Sequence, residues 1–141
     1  MSDFGFYIYD MNILMTGQVM WSYPDEIAES GLKGEIRALF SFVKPLHHHE
    51  GEMLLTDSNL IINGDIELNI PFTNLSQLFL GFDVVYKSTY VKNTGVFWQP
   101  LRISYYDGGM LNTLYLIIDH SIIGAAKDRL WFDALPQVLS E

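Results

Sequence analysis

Met53-Leu-Leu-Thr-Asp-Ser-Asn-Leu-Ile-Ile-Asn-Gly-Asp-Ile-Glu-Leu-Asn-Ile-Pro-Phe72 is the stretch whose reading decides the fold. Apolar and polar residues alternate along it, and the alternation breaks at Asp57-Ser58 and again at Asn63-Gly64-Asp65, so it reads as three short strands joined by two tight turns. Asn-Gly between apolar runs is a hairpin signal, because both residues tolerate the positive φ of a tight turn. In the third strand Ile66, Leu68, Ile70 and Phe72 share one face while Glu67, Asn69 and Pro71 share the other. One face is core and the other meets water.

Outward from this stretch the same period continues. Glu35 to Val43 alternates, with Ile36, Ala38, Phe40 and Phe42 on one side and Arg37 and Ser41 on the other, and reads as a core strand that Pro45 stops. Leu75 to Phe82 is a strand with Leu78, Leu80 and Phe82 on one face and Phe79 and Gly81 on the other. Val96 to Tyr106 resumes after a long connection, bends at Pro100, and is turned back by Asp107-Gly108-Gly109. Met110 to Ile118 is nearly continuous in apolar residues, as for a strand covered on both faces. Beyond it the period changes: Ala126, Leu130, Trp131, Ala134 and Leu135 gather on one helical stripe, and Pro136 is expected to end or kink that helix. On the N-terminal side, Phe4 to Tyr23 reads as strands, and Pro24 to Gly34, acidic and broken by glycines, reads as a surface connection holding at most one helical turn.

Composition bounds the rest. The chain has 141 residues, enough for one domain with its own core, and 49% of them are hydrophobic against 18% charged, which excludes wholesale disorder. There is no cysteine, so disulfides, thiolate metal sites and cysteine nucleophiles are excluded together. Eight basic against seventeen acidic residues give a net charge of -9, which disfavours nucleic acid and anionic lipid as partners. No apolar run is long enough to span a membrane and the N-terminus lacks the regions of a signal peptide, which makes the cytoplasm the default location.

About seven strands followed by one amphipathic helix resembles the pleckstrin-homology-like fold. The local likeness is to the GRAM and bacterial pleckstrin-homology type, carried by Leu55-Thr56-Asp57-Ser58-Asn59-Leu60-Ile61-Ile62. The resemblance covers roughly Glu35 to Leu139. It implies a barrel of two orthogonal antiparallel sheets closed by the C-terminal helix, with Leu130, Trp131 and Leu135 as its plug. It divides the chain into residues 35–141, the domain, and residues 1–34, an N-terminal β extension packed on the same domain or on a neighbouring subunit. Thr56 and Asp57 cap the tight turn in this reading, with Leu55 and Leu60 entering the core on either side. Lipid-binding members gather cations in the loop before the second strand. Here that loop runs Lys44-Pro45-Leu46-His47-His48-His49-Glu50-Gly51-Glu52, with one lysine and two glutamates, so phosphoinositide binding is not expected.

The candidate sites are few. His47, His48 and His49, with Glu50 or Glu52, are residue types that hold Zn²⁺ or Ni²⁺, and His120 with Asp119 could supply a dispersed ligand. A polar loop without resident metal is the expected state. Lys87 and Lys92 beside Tyr86 and Tyr90 could make a small anion or stacking site, and Lys44 is a ligand-binding candidate in the loop of the three histidines. Asp119-His120-Ser121 has catalytic residue types, but adjacent residues do not form a triad and no glycine-framed nucleophile is present. Trp21, Tyr23 and Trp98 are candidate interface anchors, since the chain carries more rings than one small core needs. The expected function is a non-catalytic binding or assembly module, needing no cofactor, that docks a protein or peptide or a second copy through strand edges and exposed aromatics. A metal protein or metal-dependent enzyme built on the histidines is the alternative, and peripheral lipid binding rests on the resemblance alone.

Overall fold

The computed structural model describes residues 12–37, 44–91, 97–121 and 125–139, with the side chains of residues 31–37, 138 and 139 left out. The chain is mainly β. In order it forms β1 (Ile13–Ser22), α1 (Pro24–Arg37), β2 (His49–Thr56), β3 (Asn59–Gly64), β4 (Leu68–Pro71), β5 (Leu75–Leu80), β6 (Leu101–Asp107), β7 (Met110–Ile118) and α2 (Asp128–Leu139), with short 3₁₀ turns at Phe72–Asn74 and Ser88–Tyr90. The seven strands of the described residues lie in one antiparallel sheet of order β4-β3-β2-β1-β7-β6-β5.

That order makes β1 the hinge of the sheet. It pairs with β2 along Ile13 to Trp21, and with β7 along Val19 to Ser22. The run Ile13–Ser22, which the sequence places in an N-terminal extension, is therefore the central strand, and the boundary expected at Gly34 falls inside α1. Residues 35–37, expected to open a core strand, end that helix, and the remainder of the expected strand lies outside the described residues, as do Phe4 to Tyr9.

α1 replaces the expected surface connection for local reasons. Pro24 takes the first helical position, where its missing amide costs nothing, and Asp25 and Glu26 follow in the first turn. Glu26 reaches back so that its Oε1 accepts the Tyr23 amide at 2.9 Å, one half of a capping box. Ile27, fully buried, anchors the helix to the sheet.

The Asn63-Gly64 expectation is also corrected. Both residues continue β3, opposite Glu52 and Gly51, and the reversal comes after them. Glycine is needed at 51 and 64 because the strands approach closely: a Cβ on Gly51 would stand 2.5 Å from the Asn63 carbonyl oxygen, and one on Gly64 would collide with the Glu50 carbonyl. The positive φ angles of a tight hairpin turn are found instead at Gly108 and Gly109, between β6 and β7. The Asp57-Ser58 turn is as read, with Thr56 Oγ1 accepting the Ser58 and Asn59 amides at 3.2 and 2.9 Å.

Both faces of the sheet are covered. The inner core includes Val19, Trp21, Met53, Ile103 and Leu116, closed by Trp131 and Leu135 of α2. The outer core packs Ile27, Leu46, Tyr86, Tyr90 and Trp98 over Tyr115 and Ile117. Leu130, assigned to the plug by its spacing, is 55% exposed, whereas Trp131 is 1% exposed. Pro136 lies inside α2, which runs on to Leu139. Asp128 locks the helix start to the sheet: its Oδ2 and Oδ1 accept the Leu101 and Ile118 amides, each at 2.8 Å, where β6 and β7 part.

Candidate functional site

The three histidines are drawn into the fold one by one. The His47 Nδ1 donates to the Pro45 carbonyl at 2.7 Å and its Nε2 meets Glu50 at 2.8 Å, while Lys44 reaches the same carboxylate at 3.1 Å. Lys44 and then His47 hold the Glu50 carboxyl below its usual range. His48 bridges Ser22 at the end of β1 and Ser30 of α1, at 2.7 and 2.9 Å. His49 lies between Asp65 and Glu26 and stacks on Trp21. Among the described residues no group of three or more His, Asp or Glu side chains is placed to hold a metal ion.

His120 lies edge-on to Trp98, with ring centroids 5.8 Å apart. Burial, then the charges of His47 and Lys44, push its pKa down, so the ring is neutral at pH 7. Beside it is a cavity of about 520 Å³, lined by Gln18, Met20, Lys44, Glu50, His120 and Lys127 among others. The cavity opens where β7 leaves β1. There Asp119, at φ 50°, returns a hydrogen bond in each direction to the Gln18 backbone, accepting at 2.8 Å and donating at 2.7 Å. The structure thus brings Lys44, His47 and His120 to one region, with the carboxylates there already paired to protein groups.

The remaining candidates separate. Lys87 is exposed, but Tyr86 and Tyr90 beside it are buried, so they offer no stacking platform; Lys92 lies outside the described residues. Trp21 and Trp98 are buried and Tyr23 is half-buried, which assigns these rings to packing, while the rings of Phe79, Phe97 and Tyr106 are exposed. The ring surplus is absorbed because the sheet carries a core on each face.

Two anchors escaped the sequence reading. Asp83 accepts the Val85 and Tyr86 amides on one oxygen, and on the other Arg102 at 2.8 Å and the Tyr115 hydroxyl at 2.6 Å. Burial works against its charge, yet these donors hold its pKa below the usual value. Asp128 is the second. Burial pushes its carboxyl up to about 8, against the two amides that favour ionisation. An Asp opening an apolar helical stripe is the signal that could have found it.

The two outer strands differ in how they are guarded. β4 is four residues long, ends in Pro71 and follows Glu67. β5 is six residues long, Leu-Ser-Gln-Leu-Phe-Leu, with a register shift between Leu75 and Gln77 but neither proline nor charge, two of the devices that blunt an edge. Gly81 donates to the Pro100 carbonyl at 3.0 Å, so antiparallel alternation turns the Leu78 and Leu80 backbone groups away from β6. α2 packs beside this strand. Among the described residues no helix is long and apolar enough to cross a membrane.

No family model and no curated protein matches the chain. Among solved structures it is similar to the C-terminal domain of an unknown protein from Leishmania infantum, with a TM-score of 0.55 and 9% identity over 99% of this chain and 100% of that one. At that identity the likeness speaks for the fold alone.

Proposed function

We propose that this chain is a non-catalytic binding module of the pleckstrin-homology-like type, and that it takes an extended segment of a partner protein along the open edge of β5, beside α2. The observation that carries the reading is β5 itself: an outermost strand whose Leu78 and Leu80 backbone groups face away from β6 and which carries neither proline nor charge. In such a site main-chain hydrogen bonds supply affinity and the side chains flanking the edge supply specificity. The seventeen acidic against eight basic residues favour a segment with net positive charge.

The finer fold assignment is supported by the strand order and by β1, which changes partner from β2 to β7 and so joins a four-stranded half to a three-stranded one. Trp131 and Leu135 enter the core from the terminal helix, as that fold requires. The GRAM-like segment Leu55 to Ile62 spans the β2–β3 hairpin of the same half. A metal-dependent function is the weaker reading, because His48 and His49 spend both ring nitrogens on protein partners.

Selection from a library of random dodecapeptides, followed by mapping of amide shifts, tests the proposal. Selected peptides are expected to be basic and to shift the amides of Leu75 to Leu80 and of α2. Peptides that map to the cavity beside His120, or a selection that yields none shifting the β5 amides, would contradict it.

A further inference from the structure

The His49 ring stands where four parts of the chain meet. Its Nδ1 lies 2.6 Å from Oδ2 of Asp65 in the β3–β4 turn. Its Nε2 lies 2.9 and 2.8 Å from the two oxygens of Glu26 in the first turn of α1. The ring is stacked on Trp21 of β1 at 5.2 Å, and Tyr23 meets it edge-on at 5.5 Å. An ionised carboxylate only accepts hydrogen bonds, so a ring that satisfies both must carry a proton on each nitrogen. One imidazolium thus separates two carboxylates and joins the helix to the sheet.

We infer that His49 is a pH-sensitive fastening: doubly protonated, it holds the first turn of α1 against β1, β2 and the β3–β4 turn, and loss of its proton releases that turn. A neutral ring can donate to one carboxylate only, leaving the other against a lone pair and no longer screened from its neighbour. Glu26 has a second duty that widens the consequence, since the same Oε1 accepts the Tyr23 amide that caps α1. Losing the ring contact loosens the cap, and beneath the ring lies Trp21, 0% exposed.

The groups facing His49 agree with this reading. Burial opposes its charge, but Asp65 and Glu26 outweigh burial and raise its pKa above 6.5. His49 in turn holds the Asp65 carboxyl below its usual range. Tyr23, at the junction of β1 and α1, has its phenol pushed up by burial and then by Glu26 and Asp65, so it brings no charge near neutrality. The neighbouring Glu50 carboxylate of β2 is committed to Lys44 and His47. The sign follows: the fastening is complete below pH 6.5 and is lost as pH rises through the raised value of the folded protein.

Ring ¹⁵N shifts of His49, read with the exchange protection of the Ile27 amide from pH 6 to 10, test the inference. Ile27 makes a helical hydrogen bond, to the Tyr23 carbonyl at 3.3 Å. Both ring nitrogens are expected protonated at pH 7. The local opening constant, corrected for intrinsic exchange, should rise by up to tenfold per pH unit between pH 6.5 and the raised pKa of the ring, and level off above it. His49→Gln should make it flat with pH. This variant separates His49 from His47, which also lies between two acceptors. Should His49→Gln fold poorly, Asp65→Asn, at an exposed turn, should move the rise to lower pH. A neutral His49 ring at pH 7, the same pH dependence with and without His49, or an unmoved midpoint in Asp65→Asn would overturn the inference.

Discussion

Asp128 shows how much one side chain can carry. Its two oxygens accept the Leu101 and Ile118 amides at the end of the β6–β7 ladder, and it starts the helix that closes the inner core. Its carboxyl is raised to about 8 in the fold, against roughly 3.9 for an unperturbed Asp. The folded state therefore holds a proton the unfolded chain has released, and this group's contribution is complete below pH ~3.9 and is lost as pH rises through about 8. Asp128→Asn is predicted to destabilise the protein at pH 5, because one buried amide loses its acceptor, at a cost of about 1–3 kcal/mol. Denaturant melts from pH 5 to 9 should show that deficit shrinking as pH rises, and a constant deficit would remove the titration from the account. Trp131→Ala, by contrast, should cost about 3–5 kcal/mol at every pH, as the core side chain of the closing helix. A loss under ~1 kcal/mol would mean that the helix does not close the core. Trp131 was legible from the spacing of the apolar stripe; Leu130 was misplaced with it, because the stripe centres on Asp128, Trp131 and Leu135.

The elements show where local signals mislead. α1 was hidden by Gly31 and Gly34 and by its acidic surface, although Pro24, Asp25 and Glu26 form a helix start that a stricter reading of caps would have found. Asn63-Gly64 misled in the opposite way: it looked like a turn, but its glycine serves a close strand approach that only the pairing with Gly51 explains. Gly51→Ala is therefore predicted to cost roughly 1–3 kcal/mol by overpacking against backbone, and to shift the amides of both β2 and β3. Gly108→Ala meets no such wall, only the strain of φ 59°. Equal losses at the two positions in thermal melts would contradict the close-approach account. The β6–β7 hairpin and the Thr56 turn were legible because short-range turn chemistry alone sets them.

At the scale of the molecule, alternation gave the strands and period change gave the final helix, but neither could give the strand order. That order depends on β1, whose pairing with β7 joins residues about a hundred positions apart. For the same reason the His47–His49 run could be seen as chemistry but not as clamps, since Ser22, Glu26 and Asp65 reach it only through the assembled sheet. A chain begun at Gly34 would lose the strand that bridges β2 and β7. It is predicted not to fold, as amide spectra with narrow dispersion would show; a folded fragment would mean that residues 13–22 are dispensable. The central claim, that β5 is an open edge made for an extended partner segment, is tested most directly by amide hydrogen exchange across Leu75 to Leu80 at several protein concentrations. The account predicts fast exchange at Leu78 and Leu80 and slow exchange at Phe79 in the free chain, with the two fast amides becoming protected when a peptide binds. Slow exchange at Leu78 and Leu80 in the dilute free chain would mean the edge is already covered by the protein itself, and protection that grows with protein concentration would give it to a second copy. Either result would contradict the proposal.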